Sequence, residues 1–484
     1  MKTSLKRKVL NGLVWTYLER ISAQLVSLIV TIVLARILSP KEYGIISIVT
    51  IFTELANVIV VNGFGTALIQ KKDPSSADYS TIFYINMAIT WALYFLLYTF
   101  APVIASFYGI EELTSVLRVL GLQMPIAGIS SVQQAYIAKR MEFRKFFFST
   151  IIGTIISAVI GIALAYNGFG VWALVAQLLT NRVIDTIILS CTSGWKLTIE
   201  FSGHELKQLL SYSWKISASS FLIALWDNIR GLVVGKKYTT NDLAYYDKGR
   251  QFPNLVASNI NTSISKVLFP ALSSEQDNME RLLSMTRRAI KESAYLLTPL
   301  LLGLAACSES FVRVILTSKW LPIVPYLQIM CMVYALQPLQ TASIQAMKAI
   351  GRSDIYFKLE ILKKSINFVI LLITLFAFKN VLIVAVGALI SEMVSTIINI
   401  PANRKLFAYK YADQFKDLKS TILISIIMFF CVYYVGHSIK TPITSLVVQV
   451  LVGGIIYIML SVLFKNDNFY YTKDIIIGVL KRRE

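Results

Sequence analysis

Charged side chains are scarce in this sequence. Only 15% of its 484 residues are Asp, Glu, Lys or Arg, whereas 56% are hydrophobic, and the mean hydropathy is +0.63. A soluble chain of this length would fold into two or more domains with charged surfaces. The longest hydrophilic stretches, residues 193–210, 273–291 and 402–420, are too short to form such a domain. The composition therefore excludes an ordinary soluble protein and predicts a polytopic membrane protein.

Residues that hold metals or form disulfides are also few. The two histidines, His204 and His437, fall in segments that we predict to be loops. The four cysteines lie singly in apolar runs, and no two of them form a CxxC pair. We interpret the cysteines as small buried residues, and we expect neither a metal site nor a cofactor.

Motifs for nucleotide binding and for hydrolysis are missing from the sequence. It contains no P-loop, no GxSxG, no HExxH and no glycine-rich dinucleotide motif. Because these motifs are missing, we predict that the chain is not an enzyme. Without an ATP site, any uphill transport would have to be driven by an ion gradient or by the membrane potential.

Long apolar runs are what the sequence does contain, and about 14 of them have the length of a membrane span. They lie at residues 13–38, 43–64, 79–107, 113–138, 146–166, 169–192, 212–235, 244–270, 289–306, 322–347, 357–378, 380–401, 420–436 and 442–464. The net charge of +20 is spread over alternate connecting segments, which argues against a nucleic-acid partner. Because Lys and Arg concentrate in cytoplasmic loops, this alternation predicts that both termini are cytoplasmic.

The sequence also repeats itself after six spans. Leu122-Gln123-Met124-Pro125 in the fourth run corresponds to Leu336-Gln337-Pro338 in the tenth, and the turn at 36–44 corresponds to 236–246. An even offset gives both halves the same orientation, which predicts a pseudo-twofold axis along the membrane normal. We therefore expect an all-α protein with about 14 transmembrane helices in two pseudo-symmetric bundles around a central cavity. The predicted parts are residues 1–195, residues 196–403, and two additional spans with a tail at 404–484.

The first span has one polar face. Thr16, Arg20, Gln24, Ser27 and Thr31 recur at helical spacing, while the other faces carry Leu, Ile and Val. A charge inside a span is expensive, so it should face a protein interior or an aqueous cavity. Under the alternative interpretation, the stripe only joins helices through hydrogen bonds.

Three other spans carry polar residues at similar spacing, which predicts a wet face on each. The eighth span has the longest stripe, with polar residues at positions 247, 251, 254, 258, 261 and 265. The seventh span carries Lys215, together with Asp227 and Arg230, which are three residues apart and can pair. The first, second, seventh and eighth spans would then enclose a basic cavity.

A basic cavity predicts a cargo with an anionic part, because arginine binds phosphate and carboxylate through two parallel hydrogen bonds. The predicted substrate-binding residues are Arg20, Gln24, Arg36, Lys215, Arg230, Lys248, Arg250, Gln251, Asn254, Asn261 and Lys266. The candidates for ion coupling are Glu54, Asp227 and Asp247. Under the alternative, each cation pairs with a neighbouring acid or extends to the membrane interface.

Other patterns predict packing and interfacial contacts. Ser149, Gly153, Ser157 and Gly161 follow strict i+4 spacing in the fifth run, which is typical of a small-residue packing ridge. Lys358, Lys363 and Lys364 are expected to be interfacial anchors, although a lipid headgroup could use them. The segment 469–483, with Ile475, Ile476, Val479 and Leu480 near one face, is predicted to be an interfacial amphipathic helix.

The turn after the first span carries a specific resemblance. Residues 34–44 read LARILSPKEYG and residues 62–65 read NGFG. Over nearly its whole length the chain resembles the polysaccharide-transporter branch of the MOP superfamily, the Wzx-type flippases, whose relatives are lipid II flippases and MATE drug exporters.

The resemblance implies a function and a location. The chain would move an undecaprenyl-pyrophosphate-linked oligosaccharide across the bacterial cytoplasmic membrane by alternating access, for the synthesis of O-antigen, capsule or exopolysaccharide. Membrane lipids, a polysaccharide polymerase and a chain-length regulator would be its partners. The alternatives are a lipid II flippase, a MATE-type ion-coupled multidrug antiporter, and a membrane polysaccharide polymerase or ligase. A MATE exporter would favour an acidic, aromatic cavity, whereas a polymerase or ligase needs a sizeable external loop or an aspartate-rich metal motif.

The charge pattern makes a prediction about topology. In a cysteine-free background, single cysteines at Ser39, Gly168 and Thr441 should react with an impermeant thiol reagent added to intact cells. Cysteines at Ser76 and Ser284 should react only after the cells are opened, because these positions lie beside basic segments. Labelling of the Ser284 position from outside would overturn the predicted orientation.

Overall fold

The computed structural model of the protein describes residues 2–70, 74–199, 203–407 and 409–481. Nearly all of these residues are helical, and no strand occurs among them. The tertiary contacts divide the chain into two compact units, Met1–Ala244 and Tyr245–Glu484. The prediction of an all-α protein is therefore confirmed, while the bundle boundaries at residues 195 and 403 stay predictions.

The first unit contains eight helices and the start of a ninth among its described residues. They are α1 (Lys2–Ile37), α2 (Pro40–Gln70), α3 (Ser76–Tyr108), α4 (Glu112–Leu120), α5 (Gln123–Lys139), α6 (Arg144–Tyr166), α7 (Val171–Ser193), α8 (Gly203–Lys237) and α9 (Thr240–Ser273). The most extensive contacts join α6 to α7, α2 to α8 and α1 to α6. The side chains of the 62–65 motif, which lies in α2, are outside the described ones.

The second unit contains most of α9 and the helices that follow it. They are α10 (Met279–Ala306), α11 (Ser308–Ile315), a 3₁₀ helix (Ser318–Ile323), α12 (Val324–Ala335), α13 (Gln337–Ala349), α14 (Ser353–Ala377), α15 (Val381–Phe407), α16 (Tyr411–Ser438), α17 (Pro442–Leu463) and α18 (Asp467–Lys481). Here α10 packs against α12 and α16, α16 against α17, and α14 against α15.

Ten helical segments in the described part of the chain are long and apolar enough to cross a membrane. Four more helices, α2, α8, α9 and α14, have 31, 35, 34 and 25 residues and lie outside these ten. The polar stripes of α8 and α9 and the lysines of α14 lower the hydropathy of those three helices. A multi-pass membrane protein is confirmed, but the ten segments do not establish the predicted number of about 14 spans.

The internal repeat coincides with a repeated break in the helices. The fourth predicted span is divided into α4 and α5 at Gly121–Leu122, and the tenth is divided into α12 and α13 at Leu336. In both cases the next helix begins at the repeated glutamine, Gln123 or Gln337. Because proline cannot donate a backbone hydrogen bond, the first turn of a helix accommodates it best, and this explains why the helix restarts here.

The two corresponding turns are capped in the same way. In the α1–α2 turn, the backbone N–H and the hydroxyl of Ser39 donate to Glu42 Oε2 at 2.5 and 2.9 Å. In the α8–α9 turn, the same groups of Thr239 donate to Asp242 Oδ2 at 3.1 and 2.7 Å, and the Asp242 N–H donates back to Thr239 Oγ1. This arrangement satisfies N–H groups that a helix start leaves unpaired. The acid of the EYG motif is therefore a helix cap.

The small-residue ridge of α6 packs against α7, as its spacing predicts. A Cβ at Gly161 would lie 2.7 Å from Cβ of Gln177, and one at Gly153 would lie 3.3 Å from the carbonyl oxygen of Asn181. Glycine thus lets the two backbones approach closely, as in other membrane helix pairs.

Polar contacts attach the last helices to α10. Arg287 donates two hydrogen bonds of 2.8 Å to the carboxylate of Asp417 in α16, which also accepts from the hydroxyl of Tyr409 at 2.9 Å. In α18, the Thr472 hydroxyl donates to Glu292 Oε2 at 2.8 Å. The tail helix is confirmed, whereas the side chains of Ile475, Ile476, Val479 and Leu480 lie outside the described ones.

Two minor predictions are wrong. Cys191 is exposed, although Cys307 and Cys331 are buried as expected and Cys431 is half-buried. His437 does not lie in a loop, because α16 continues to residue 438 and its last turn includes this histidine. His204 does not lie in a loop either, because it is the second residue of α8; its side chain is outside the described ones.

Close packing at Gly44 makes a prediction about stability. A Cβ at this position would overlap with the backbone carbonyl of Thr240, so Gly44→Ala forces the two turns apart. We expect a loss of about 1–3 kcal/mol in the free energy of unfolding, as for other overpacked sites. The measurement is thermal unfolding of the purified protein in detergent. Gly454→Ala is the matched control, because no atom lies within 4 Å of its added Cβ. An equal effect of both substitutions would contradict the role of Gly44.

Candidate functional site

A polar cavity of about 760 Å³ lies within the second unit, between α9, α13, α14 and α15. Its walls include residues 254–269 of α9, 337–348 of α13, 356–367 of α14, and Glu392 and Ser395 of α15. These residues lie toward the end of the unit that carries the basic segments 273–291 and 402–420. The cavity is large enough to hold several polar groups of a ligand.

The polar stripe of α9 forms one wall of this cavity. Asn254, Asn261 and Lys266, which the sequence predicts to bind substrate, all line it, as do Ser258 and Ser265. Asn261 donates to Gln337 Oε1 at 2.7 Å, whereas its own side-chain oxygen is buried and has no hydrogen-bond partner among the described residues. A buried acceptor without a partner is costly, so a hydroxyl or amide of a ligand would stabilise it.

Lysines outnumber acids on the cavity wall. The cations are Lys266, Lys348, Lys363 and Lys364, and the carboxylates are Glu360 and Glu392. Lys363, only 4% exposed, forms an ion pair with Glu360, while Glu392 accepts a hydrogen bond from Gln340 at 2.7 Å. The ammonium of Lys348 lies 4.8 Å from the centre of the Tyr356 ring. The wall therefore has an excess of positive charge.

The sequence interpretation missed most of these lysines. Lys363 is buried inside the protein, so the prediction that it is an interfacial anchor is wrong, whereas Lys364 is half-buried and lines the cavity. Only Lys358 is exposed outside the cavity wall. Helical spacing gives a usable signal, because positions 356, 360, 363, 364 and 367 recur on one side of a helix. An analysis of hydropathy alone misses this spacing.

Three predicted residues of α9 lie outside this cavity wall, and a fourth, on α8, has no described side chain. Lys248 is buried and donates to Gln251 Oε1 at 3.0 Å, and neither residue contributes to the wall of the 760 Å³ cavity. Arg250 is half-buried in the preceding part of α9. The Lys215 side chain lies outside the described ones.

The remaining candidates are distributed over four helices. The half-buried candidates are Arg20 and Gln24 on α1, Arg230 on α8 and Asp247 on α9. The exposed ones are Arg36 on α1, Glu54 on α2 and Asp227 on α8. Their roles in substrate binding and ion coupling stay predictions.

A second polar cluster joins α1, α6 and α7 inside the first unit. The hydroxyl of Thr150 donates to Glu19 Oε1 at 3.1 Å. On the preceding residue, the hydroxyl of Ser149 donates to the Asp185 carboxylate. The charge of Asp185 interacts both with Glu19 and with Arg182, three residues earlier on α7. Two carboxylates and an arginine thus share one partly buried region of the helix bundle.

The sequence analysis did not predict this cluster. Gln177, Asn181 and Asp185 recur at i+4 spacing, which is the signal that identifies the stripes on α1 and α9. Asn181 donates to the hydroxyls of Thr154 and Ser157 at 3.3 and 3.4 Å. The ridge on α6 therefore supplies hydrogen-bond partners for α7 as well as space for close packing.

Comparisons with known proteins assign the chain to a family. Residues 33–325 match a family model described as "Polysaccharide biosynthesis protein", which covers more than half of the sequence. The chain belongs to this family. Its curated relatives include the teichuronic acid biosynthesis protein TuaB of Bacillus subtilis, which is 26% identical over 73% of this chain and 74% of TuaB. The succinoglycan biosynthesis transport protein ExoT of Rhizobium meliloti is 22% identical over 95% of this chain and 94% of ExoT.

The structure of this polysaccharide biosynthesis protein has a known fold. It is similar to a lipid II flippase, MurJ, in an inward closed conformation, with a TM-score of 0.76 and 17% sequence identity. The match covers 95% of this chain and 99% of the MurJ chain. At this identity the match establishes the fold only. Together with the family match, this fold agrees with the resemblance to polysaccharide transporters and their flippase relatives that the sequence carries.

The Asp185 cluster makes a prediction about stability. Arg182→Gln removes a positive charge from a partly buried carboxylate pair, and such a loss costs about 3 kcal/mol. The double variant Arg182→Gln/Asp185→Asn should recover most of this free energy, because both charges are then absent. Ser149→Ala should cost only about 1 kcal/mol, the value of one hydrogen bond. Thermal unfolding in detergent measures all three, and equal loss in the single and double variants would contradict a charge pair.

Proposed function

We propose that this protein is a flippase that moves undecaprenyl-pyrophosphate-linked oligosaccharide units from the cytoplasmic to the outer leaflet by alternating access. The observation that carries the proposal is the polar, lysine-rich cavity of the second unit in a chain of the polysaccharide biosynthesis family. The product would enter the synthesis of a surface polysaccharide.

The cavity chemistry suits the headgroup of such a lipid. Lysine ammonium groups bind phosphate oxygens as point charges, and Lys266, Lys348 and Lys364 line the cavity from α9, α13 and α14. Amide and hydroxyl groups, such as Gln345 and Thr341, can hydrogen-bond to sugar hydroxyls. The isoprenoid tail would remain in the bilayer, since its transfer into a polar cavity would be unfavourable.

The same charges argue against the alternatives. A cationic drug would be repelled by an excess of lysine, so a MATE-type substrate fits this cavity poorly. Polymerase or ligase activity is disfavoured because the described residues contain no group of acidic, histidine or cysteine side chains arranged to hold a metal. The ExoT relative, which is described as a transport protein, supports transport instead.

The orientation, the location and the partners belong to the same proposal. The alternating basic segments support a chain with both termini in the cytoplasm of a bacterium and with its spans in the cytoplasmic membrane. The lysine-rich cavity, at the basic end of the second unit, would then receive its substrate from the cytoplasmic side. A polysaccharide polymerase and a chain-length regulator would act on the product.

Ion coupling would use carboxylates inside the helix bundles, because a buried acid can change its protonation or hold a cation. Glu54, Asp227 and Asp247 remain candidates from the sequence. The Glu19 and Asp185 pair is a further candidate, supported by its placement among three helices. Arg20 and Arg230, in the first unit, remain candidates from the sequence for substrate binding.

Removal of cavity lysines tests the proposal. Lys348→Gln and Lys364→Gln should each weaken binding of an undecaprenyl-pyrophosphate-linked oligosaccharide about tenfold or more, because a charge-assisted hydrogen bond contributes ~1.5–3 kcal/mol. Binding is measured by native mass spectrometry, and flipping in proteoliposomes with a fluorescently labelled substrate.

Lys358→Gln is the matched control. It removes the same charge from the same helix, but Lys358 is exposed and lies outside the cavity wall. Equal losses in Lys358→Gln and Lys364→Gln would show that net charge, not the cavity, matters. Binding of a cationic drug that improves when the lysines are removed would favour the MATE-type alternative.

A further inference from the structure

The second unit contains another polar cavity, at the end of its helices opposite the lysine-rich one. It has a volume of about 530 Å³ and lies where α10 ends, around α11, and at the turn between α16 and α17. This cavity shares no lining residue with the 760 Å³ cavity. The substrate site proposed above therefore does not account for it.

Two cations and one acid line this second cavity near its exposed edge. Arg313 donates from Nε and Nη2 to a single oxygen of Glu309, at 3.1 and 2.8 Å, which leaves its other guanidinium N–H groups available to a ligand. Lys440, in the turn between α16 and α17, is exposed and has no hydrogen-bond or ion-pair partner among the described residues. The rim therefore carries one positive charge beyond the Arg313–Glu309 pair.

Hydroxyl and amide groups form the inner part of the cavity. Ser310 and Ser445 hydrogen-bond to each other at 3.0 Å, and the Gln328 amide donates to Ser308 at 3.0 Å. Gln449 is buried and donates to the carbonyl of Val432 at 3.1 Å. These groups offer a hydroxylated ligand donors and acceptors below a cationic rim.

The phenol ring of the cavity already packs against other rings, although Tyr433 is 37% exposed. Tyr433 packs against His437 with ring centres 4.6 Å apart, and against Phe429 with nearly parallel rings 6.0 Å apart. His437 and Phe429 therefore take up part of the Tyr433 ring surface on which a sugar would stack. A small anion with hydroxyl groups fits this cavity better than a saccharide.

An apolar surface adjoins the cavity. Tyr434, Ile443 and Val447, on α16 and α17 beside the cavity, are 68%, 68% and 53% exposed. Large apolar side chains exposed on a membrane-spanning helix face lipid chains. A molecule bound in the cavity could therefore extend an acyl chain along these two helices.

We propose that the second cavity is a binding site for the headgroup of an anionic phospholipid of the phosphatidylglycerol type. Lys440 and Arg313 contact the phosphate, the serine and glutamine groups bind the glycerol hydroxyls, and the acyl chains lie along α16 and α17. Basic pockets at the ends of membrane helices bind anionic headgroups by the same chemistry. The lipid is a bound component of the protein and not its cargo.

Native mass spectrometry of the full-length protein in detergent tests this site. The protein is incubated with equimolar phosphatidylglycerol and phosphatidylethanolamine, and the retained lipid is counted. We expect phosphatidylglycerol to be retained preferentially, and Lys440→Gln to reduce its retention about tenfold, since a charge-assisted hydrogen bond contributes ~1.5–3 kcal/mol. The double variant Arg313→Gln/Glu309→Gln, which removes the pair without changing net charge, should reduce retention further when combined with Lys440→Gln.

Lys379→Gln is the control, because Lys379 is another exposed lysine in a turn at the same end of the unit. Unchanged retention in Lys440→Gln, or an equal loss in Lys379→Gln, would overturn the site. Equal retention of both lipids would overturn the preference for an anion. Displacement of phosphatidylglycerol by millimolar glycerol phosphate would show that a soluble phosphate, not a lipid, occupies the cavity. Because the assay contains no oligosaccharide, its result is independent of the proposed transport substrate.

Discussion

The hydrocarbon core of a membrane offers no partner for a polar group, and most of the described polar contacts follow from this constraint. Each acid or base within a long helix has to be paired, to line a cavity or to lie near an end. Asp417 accepts from Arg287 and Tyr409, Lys363 pairs with Glu360, and Asp185 accepts from Ser149. The same constraint makes the two polar cavities informative, since polar side chains are retained there despite their cost.

Close packing of helices is the second consequence of a membrane environment. Where burial of apolar surface gains little against lipid, helices associate through small residues and hydrogen bonds. The α6–α7 pair shows both: glycines bring the backbones together, and Asn181 donates to hydroxyls across the contact. The two turns of the repeat also combine close packing with polar contacts. Gly44 leaves space for the carbonyl of Thr240, and an acid caps the helix that follows each turn.

Charge distinguishes this chain within a fold that transporters of different cargo share. The fold is that of a lipid II flippase at 17% identity, and such a match cannot specify a substrate. The proposal of an anionic headgroup rests instead on the lysine excess in the 760 Å³ cavity, because positive charge attracts an anion and repels a cation. The proposed pyrophosphate-linked glycan agrees both with this charge and with a family of polysaccharide biosynthesis proteins.

The sequence by itself determined the features that depend on local periodicity. Hydropathy established a helical membrane protein, the LQ(x)P pattern indicated the internal repeat, and the α9 stripe contained Asn254, Asn261 and Lys266 of the cavity wall. Only the tertiary structure showed that Lys363 and Lys364 face that cavity and that Asp185 lies with Glu19 and Ser149. These placements depend on which helices pack together, and a lysine near a helix end has the same local pattern whether it faces a headgroup region or a cavity.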